Sequence, residues 1–158
     1  MLSIEDIIQQ SIFESAQQKV MINLIYSGGW AKSIAARTLK PHNLTWQQFN
    51  LMRILQGQNG KAVPLRLIAN RMLDPQSNAS RLVDKLVEKK WINREDCPMD
   101  RRQVRLTVSE QGAIVLKQTG ELISNAINEL GGDLNDDELN TLSELLDRFR
   151  NQRKNNTP

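Results

Sequence analysis

Residues 64–112 read PLRLIANRMLDPQSNASRLVDKLVEKKWINREDCPMDRRQVRLTVSEQG, and this stretch decides the fold. Leu65, Ile68, Ala69, Met72 and Leu73 recur at helical spacing and predict one short amphipathic helix. Asp74 followed by Pro75 stops it and starts the next, because Asp can cap free N–H groups and Pro suits a first helical turn. In that second helix Ala79, Leu82, Val83, Leu86 and Val87 make one stripe, while Ser77, Arg81, Asp84, Lys85 and Glu88 fall on the opposite face. After Lys90 the period changes to two. Trp91 to Glu95, a polar turn DCPMD, and Arg102 to Val108 predict a hairpin whose Val104, Leu106 and Val108 share a face. Two short helices and a basic hairpin amount to a winged helix-turn-helix: the second helix suits a DNA major groove and the hairpin reaches along the backbone.

Outward from this unit, the spacing of Ile4, Ile7, Ile8, Phe13, Val20, Leu24 and Ile25 predicts a long helix over residues 3–26. Ser27, Gly28 and Gly29 are expected to break or kink it, since two glycines cost about 2 kcal/mol of helix propensity relative to two alanines. Helix resumes from Trp30 to Leu39 and ends before Pro41. Thr45 and Gln48 stand at capping-box spacing for a third helix, Trp46 to Gln56, with Leu44 and Phe49 as its hydrophobic staple. Beyond the hairpin, Ser109 caps a helix running to about Leu130, and Gly131-Gly132 closes it. Asn135 and Glu138 open a last helix striped by Leu139, Leu142, Leu145, Leu146 and Phe149. The fold class is mainly α with a small β-hairpin wing. The domain reading is 1–44 as an N-terminal dimerisation arm, 45–109 as the winged helix-turn-helix, 110–150 as C-terminal dimerisation helices, and 151–158 as a disordered tail. The terminal stripes need a partner, and a two-fold homodimer supplies one.

Charge is unevenly placed. The net charge of +3 is modest, but from Arg66 to Arg105 ten Lys/Arg stand against six Asp/Glu, whereas from Glu110 to Arg148 nine Asp/Glu stand against two. Cations are thus concentrated on the unit that would meet phosphates. No apolar run approaches the roughly 20 residues that span a bilayer, and the start MLSIEDIIQQ does not resemble a signal peptide, so a cytoplasmic protein without membrane attachment is expected. The one cysteine, Cys97, excludes an internal disulfide. Nearby Arg94, Arg101 and Arg102 could lower its pKa and make it oxidant-responsive, but no second cysteine stands ready to resolve a sulfenic acid. No G-x-S-x-G, P-loop or dinucleotide fingerprint occurs, and His42 is the only histidine. No enzyme, no metal site and no cofactor are therefore expected.

The segments LTWQQFNLMRIL (44–55), RLIANRM (66–72), SNASRLVDKLV (77–87) and DRRQVRLTVSEQG (100–112) together resemble the MarR family of bacterial transcriptional regulators, and the likeness covers nearly the whole chain. The resemblance implies a homodimer with interlocked terminal helices, each subunit presenting a winged helix to half of a pseudo-palindromic operator. It further implies a repressor released by a small phenolic or anionic effector, or by an oxidant. Carried over by residue, Ser80 and Arg81 match the recognition-helix pair, and Asp100, Arg101 and Arg102 match the wing tip. An Arg in a narrow minor groove gains from the negative potential there, and Arg102 is placed in that role with Asp100 to hold it. Ser77, Asn78 and Arg81 are the expected base or phosphate contacts, and Lys85 a phosphate contact. The chain departs from the family pattern at Lys90, where a Gly usually joins helix to strand. Taken alone, Arg101 and Arg102 also fit a solvated hairpin tip, Asp96 and Asp100 fit ordinary turn chemistry, and Trp30 and Trp46 fit either a ligand cavity near the dimer arm or, as the default for aromatics at helical spacing, core packing. The alternative to a DNA-binding regulator is a winged-helix protein–protein adaptor, from which the cations Arg81, Lys85, Arg101 and Arg102 discriminate.

Overall fold

A computed structural model of the chain describes residues 2–74, 77–97, 100–130 and 132–151; for Cys97 and residues 100–103 it describes the backbone. Residues 1–123 form one compact unit and 124–158 a second. Seven α-helices and three strands are described: α1 (Ile4–Ile8), α2 (Ala16–Leu39), α3 (Trp46–Gln56), β1 (Val63–Pro64), α4 (Leu65–Arg71), α5 (Ala79–Glu88), β2 (Ile92–Cys97), β3 (Asp100–Val108), α6 (Glu110–Leu130) and α7 (Asp136–Asn151). A 3-10 turn, Lys40–His42, links α2 to α3. The expected mainly helical chain with a small antiparallel wing is therefore what forms. The tail beyond Asn151 lies outside the described residues.

The helix ends follow their capping chemistry. Thr45 accepts from the Gln48 amide at 3.2 Å while Gln48 Oε1 accepts from the Thr45 amide at 3.1 Å, so the predicted capping box opens α3. The equivalent box of Asn135 and Glu138 opens α7. Two expectations need correction. The N-terminal helix breaks between Gln9, which is left-handed at φ 54°, and Ser15, which caps α2; it does not break at Gly28-Gly29, through which α2 continues for 24 residues. Glycine penalises a helix but offers its backbone no competing partner, whereas Ser15 accepts the Gln18 amide and so defines a start. The second correction concerns α5, which starts at Ala79, later than Asp74-Pro75 suggested. Asn78 is its cap, accepting from the Arg81 amide at 3.1 Å, and Asp74 instead receives the Ser77 amide on its carbonyl.

The core of the first unit is a single cluster. Leu39 from the last turn of α2, Leu51, Met52 and Leu55 from α3, Ile68 from α4, Val83 and Leu86 from α5, Ile92 and Leu106 from the sheet, and Leu116 from α6 are all buried together. The sheet order is β1-β3-β2, antiparallel, with Val63 opposite Leu106 and Ile92 opposite Val108. The sequence did not announce β1, a two-residue strand that is too short to show a period.

The backbone passes from α5 to the wing through Lys90 and Trp91. The Lys90 amide donates to the Val87 carbonyl at 2.8 Å and the Trp91 amide to the Leu86 carbonyl at 2.9 Å. That pair of bonds is a Schellman motif, which puts Lys90 at the position that normally turns left-handed, and its φ is +59°. Trp91 then meets the start of α6. Ser109 Oγ donates to the Lys90 carbonyl at 2.7 Å and accepts from the Gly112 amide at 3.0 Å, and the Ser109 amide donates to the Trp91 carbonyl at 3.0 Å. A Cβ at Gly112 would lie 1.9 Å from that same carbonyl oxygen. Opposite outcomes are expected from two glycine exchanges read by thermal unfolding. Lys90→Gly relieves the left-handed strain and stabilises by about 1 kcal/mol, a rise of roughly 2–4 °C for a chain of this size. Gly112→Ala collides with backbone and costs on the order of 3 kcal/mol.

Candidate nucleic-acid interface

The two faces of α5 are separated cleanly. Ala79, Val83 and Leu86 are buried, Leu82 and Val87 pack against the same core, and Ser80, Arg81, Asp84, Lys85 and Glu88 are exposed. Its seat is fixed from α3 as well. Asn50 Oδ1 accepts the Leu73 amide at 3.1 Å, which pins the turn between α4 and α5, and leaves Leu73 itself 70% exposed.

The residues expected to contact DNA do not stand alike. Arg81 and Lys85 project outward, and with Ser77, Asn78 and Leu82 they line a shallow groove of about 270 Å³ whose far wall is Gln47 of α3. Ser80 is exposed on the helix beside them. Asn78 spends its carbonyl oxygen on the cap, and its NH₂ has no acceptor among the described residues. The Ser77 hydroxyl oxygen is buried and has no hydrogen-bond partner among the described residues. Sequence patterning does not single out Gln47; its one signal is its place in the first turn after the Thr45 cap, in the helix that buttresses α5.

In the wing, β2 and β3 pair from Ile92↔Val108 to Asp96↔Val104, and the register shifts before Cys97↔Asp100. The backbone of Asp100, Arg101 and Arg102 runs within β3, and their side chains, like that of Cys97, lie outside the described residues. Arg94 on β2 reaches back to α5, where its Nη1 donates to Asp84 Oδ1 at 3.0 Å. Lys89 closes the other end of α5, donating to the Asn43 carbonyl and lying 4.7 Å from the centre of the Trp91 ring.

A second, larger groove of about 550 Å³ opens where α2, the 3-10 turn and the start of α3 meet the turn between α4 and α5. Lys32 and Lys40 supply cations to it, and Ala36, Leu44, Trp46 and Leu73 supply apolar surface. Trp46 thus lines this groove and also stacks on Phe49 with ring centres 5.8 Å apart, while Trp30 is exposed elsewhere on α2. Among the described residues no group of His, Cys, Asp or Glu could hold a metal, and no helix is long and apolar enough to cross a membrane.

Comparison with known proteins places this geometry. A model of the MarR family matches residues 42–103. YpoP of Bacillus subtilis (strain 168), an uncharacterized HTH-type transcriptional regulator, is 32% identical over 110 residues, which are 70% of this chain and 77% of that protein. Among solved structures, a MarR mutant from E. coli complexed with operator DNA superposes with a TM-score of 0.71 at 21% identity, covering 94% of this chain and 99% of the other. BpsR of Bordetella bronchiseptica, whose DNA binding is regulated by 6-hydroxynicotinic acid, superposes with a TM-score of 0.74 at 21% identity, covering 84% and 99%.

The cap gives the site a simple check. Asn78→Ala removes the acceptor for the Arg81 amide and is expected to lower stability by about 1 kcal/mol in chemical denaturation, whereas Asn78→Asp, which keeps an acceptor, is expected to hold it.

Proposed function

The chain belongs to the MarR family of transcription regulators, and on that footing we propose that it binds operator DNA as a homodimer and represses transcription until a small effector releases it. The carrying observation is the outward face of α5. It presents Arg81 and Lys85 on a helix whose other face is locked into the core, beside a hairpin that bears Asp100, Arg101 and Arg102. A helix so mounted offers its first turns to base edges, and cations at Arg81 and Lys85 favour a polyanion over a protein partner. Arg102 follows the wing backbone to the adjacent minor groove, where its charge gains most.

Two-fold pairing is supported by what the single chain leaves uncovered. Val20, Met21, Ile25 and Tyr26 on α2 are exposed, as are Leu139, Leu142 and Leu145 on α7. A second copy buries such stripes, and the pair reads two half-sites. The larger groove supports the effector part of the reading: Lys32 and Lys40 suit a carboxylate or phenolate, and Trp46 and Leu73 suit the ring that carries it. The groove touches the turn before α5, so an occupant there contacts the mount of the reading helix.

A duplex that the wild-type protein selects from a random-sequence pool tests this. The selected sequences are expected to contain two related half-sites whose centres lie about ten base pairs apart. Arg81→Ala is expected to weaken binding about ten-fold or more and to relax preference at one position, while Lys85→Ala lowers the salt slope by about 0.9. Binding that ignores both substitutions and the salt concentration would sink the DNA reading.

A further inference from the structure

An acidic residue on a DNA-facing helix is out of place unless something holds it, and Asp84 is such a residue. It stands on the exposed face of α5 between Arg81 and Lys85, with its side chain 63% exposed. Its Oδ1 accepts from Arg94 Nη1 at 3.0 Å, and Arg94 lies on β2, the strand that leads out to the wing tip. The start of β2 is tied to α5 by the left-handed step at Lys90 and by the Lys90 and Trp91 amides bonded to Val87 and Leu86. Arg94 stands further along the strand towards the wing tip, and its bond to Asp84 gives that outer part an attachment of its own to α5. We propose that Asp84 and Arg94 form a strut that sets the angle of the wing to α5, so that both are positioning residues for operator binding and not DNA contacts. The inference rests on the DNA-binding reading above.

Magnitudes separate this role from stability. An exposed ion pair contributes little to folding, so loss of the strut leaves the melting temperature nearly where it was. Binding is different, because a wing free to swing must be ordered again each time it meets DNA. The sign of one substitution then decides. If Asp84 only adds an unfavourable charge near phosphates, Asp84→Asn tightens binding. If it is one end of a strut, Asp84→Asn weakens binding although a negative charge has been removed.

The test is a double-mutant cycle in the full-length protein, read as affinity for the duplex that the wild type selects, with thermal unfolding in parallel. Asp84→Asn and Arg94→Gln are each expected to weaken binding by about five- to ten-fold, and the double variant no more than the worse single one. Arg94→Lys, which keeps a donor for Asp84, is expected to recover part of the loss, and melting temperatures to stay within about 2 °C of wild type. Tighter binding by Asp84→Asn overturns the strut. So do additive losses, or an Arg94→Gln defect that lowers the salt slope by about 0.9 whichever residue stands at 84, which makes Arg94 a phosphate ligand. A wild-type protein that selects no duplex overturns the DNA reading and the strut with it, an outcome distinct from the others.

Discussion

The carbonyl oxygen of Trp91 is where three elements meet. It accepts the Ser109 amide, and Gly112 of α6 approaches so closely that no side chain fits there. One residue earlier the chain has turned left-handed at Lys90 to end α5, and the carbonyl of Lys90 takes the Ser109 hydroxyl. A helix C-terminus normally leaves carbonyls to water or to a glycine-turned cap. Here the Schellman bonds satisfy Val87 and Leu86, and Ser109 satisfies Lys90 and Trp91. The end of α5, the start of β2 and the first turn of α6 are therefore one hydrogen-bonded knot. With the core cluster beneath it, that knot fixes which face of α5 points away from the protein.

Core contacts then follow from geometry. Once the end of α5 is fixed, Val83 and Leu86 can lie only against α3 and the sheet, where Leu51, Met52 and Leu106 are fully buried. Asn50 holds the other end by receiving the Leu73 amide. Close packing makes such a mount stiff, since interiors transmit small displacements and do not absorb them. The outward side chains inherit that stiffness at their Cα atoms and keep their freedom only beyond Cβ.

Much of this was legible in residues whose chemistry is local. Thr45 and Gln48 set the start of α3, Ser109 the start of α6, and Asn135 with Glu138 the start of α7, because a cap is a contact between near neighbours in sequence. Gly28-Gly29 suggests a break that α2 does not make, since a propensity penalty is not a stop signal. Asp74 and Asn78 can both cap α5, and only packing chooses Asn78. Gln47 and Arg94 were invisible as members of the α5 face: each arrives from another element, and no periodicity within one helix reports on a neighbour. Lys90 was readable in part. Its departure from the usual glycine was evident in the sequence, and the left-handed φ is what that departure has to accommodate.

The exposed apolar residues carry the remaining argument. Single hydrophobic side chains on a surface need no explanation, since most protein surface is apolar in any case. Those on α2 are of another kind: Val20, Met21, Ile25 and Tyr26 recur along a helix that enters the core only in its last turns, at Ala35 and Leu39. On α7 no residue is buried at all, although Leu139, Leu142, Leu145, Leu146 and Phe149 keep the spacing of a packed stripe. Sixteen residues of isolated helix are marginal in water, and most helical stability in proteins comes from burying such a face. A helix that keeps its stripe without covering it is stable only where another surface does the covering. The cost of leaving those stripes on α2 and α7 bare is a physical argument for the proposed two-fold pairing that does not depend on kinship.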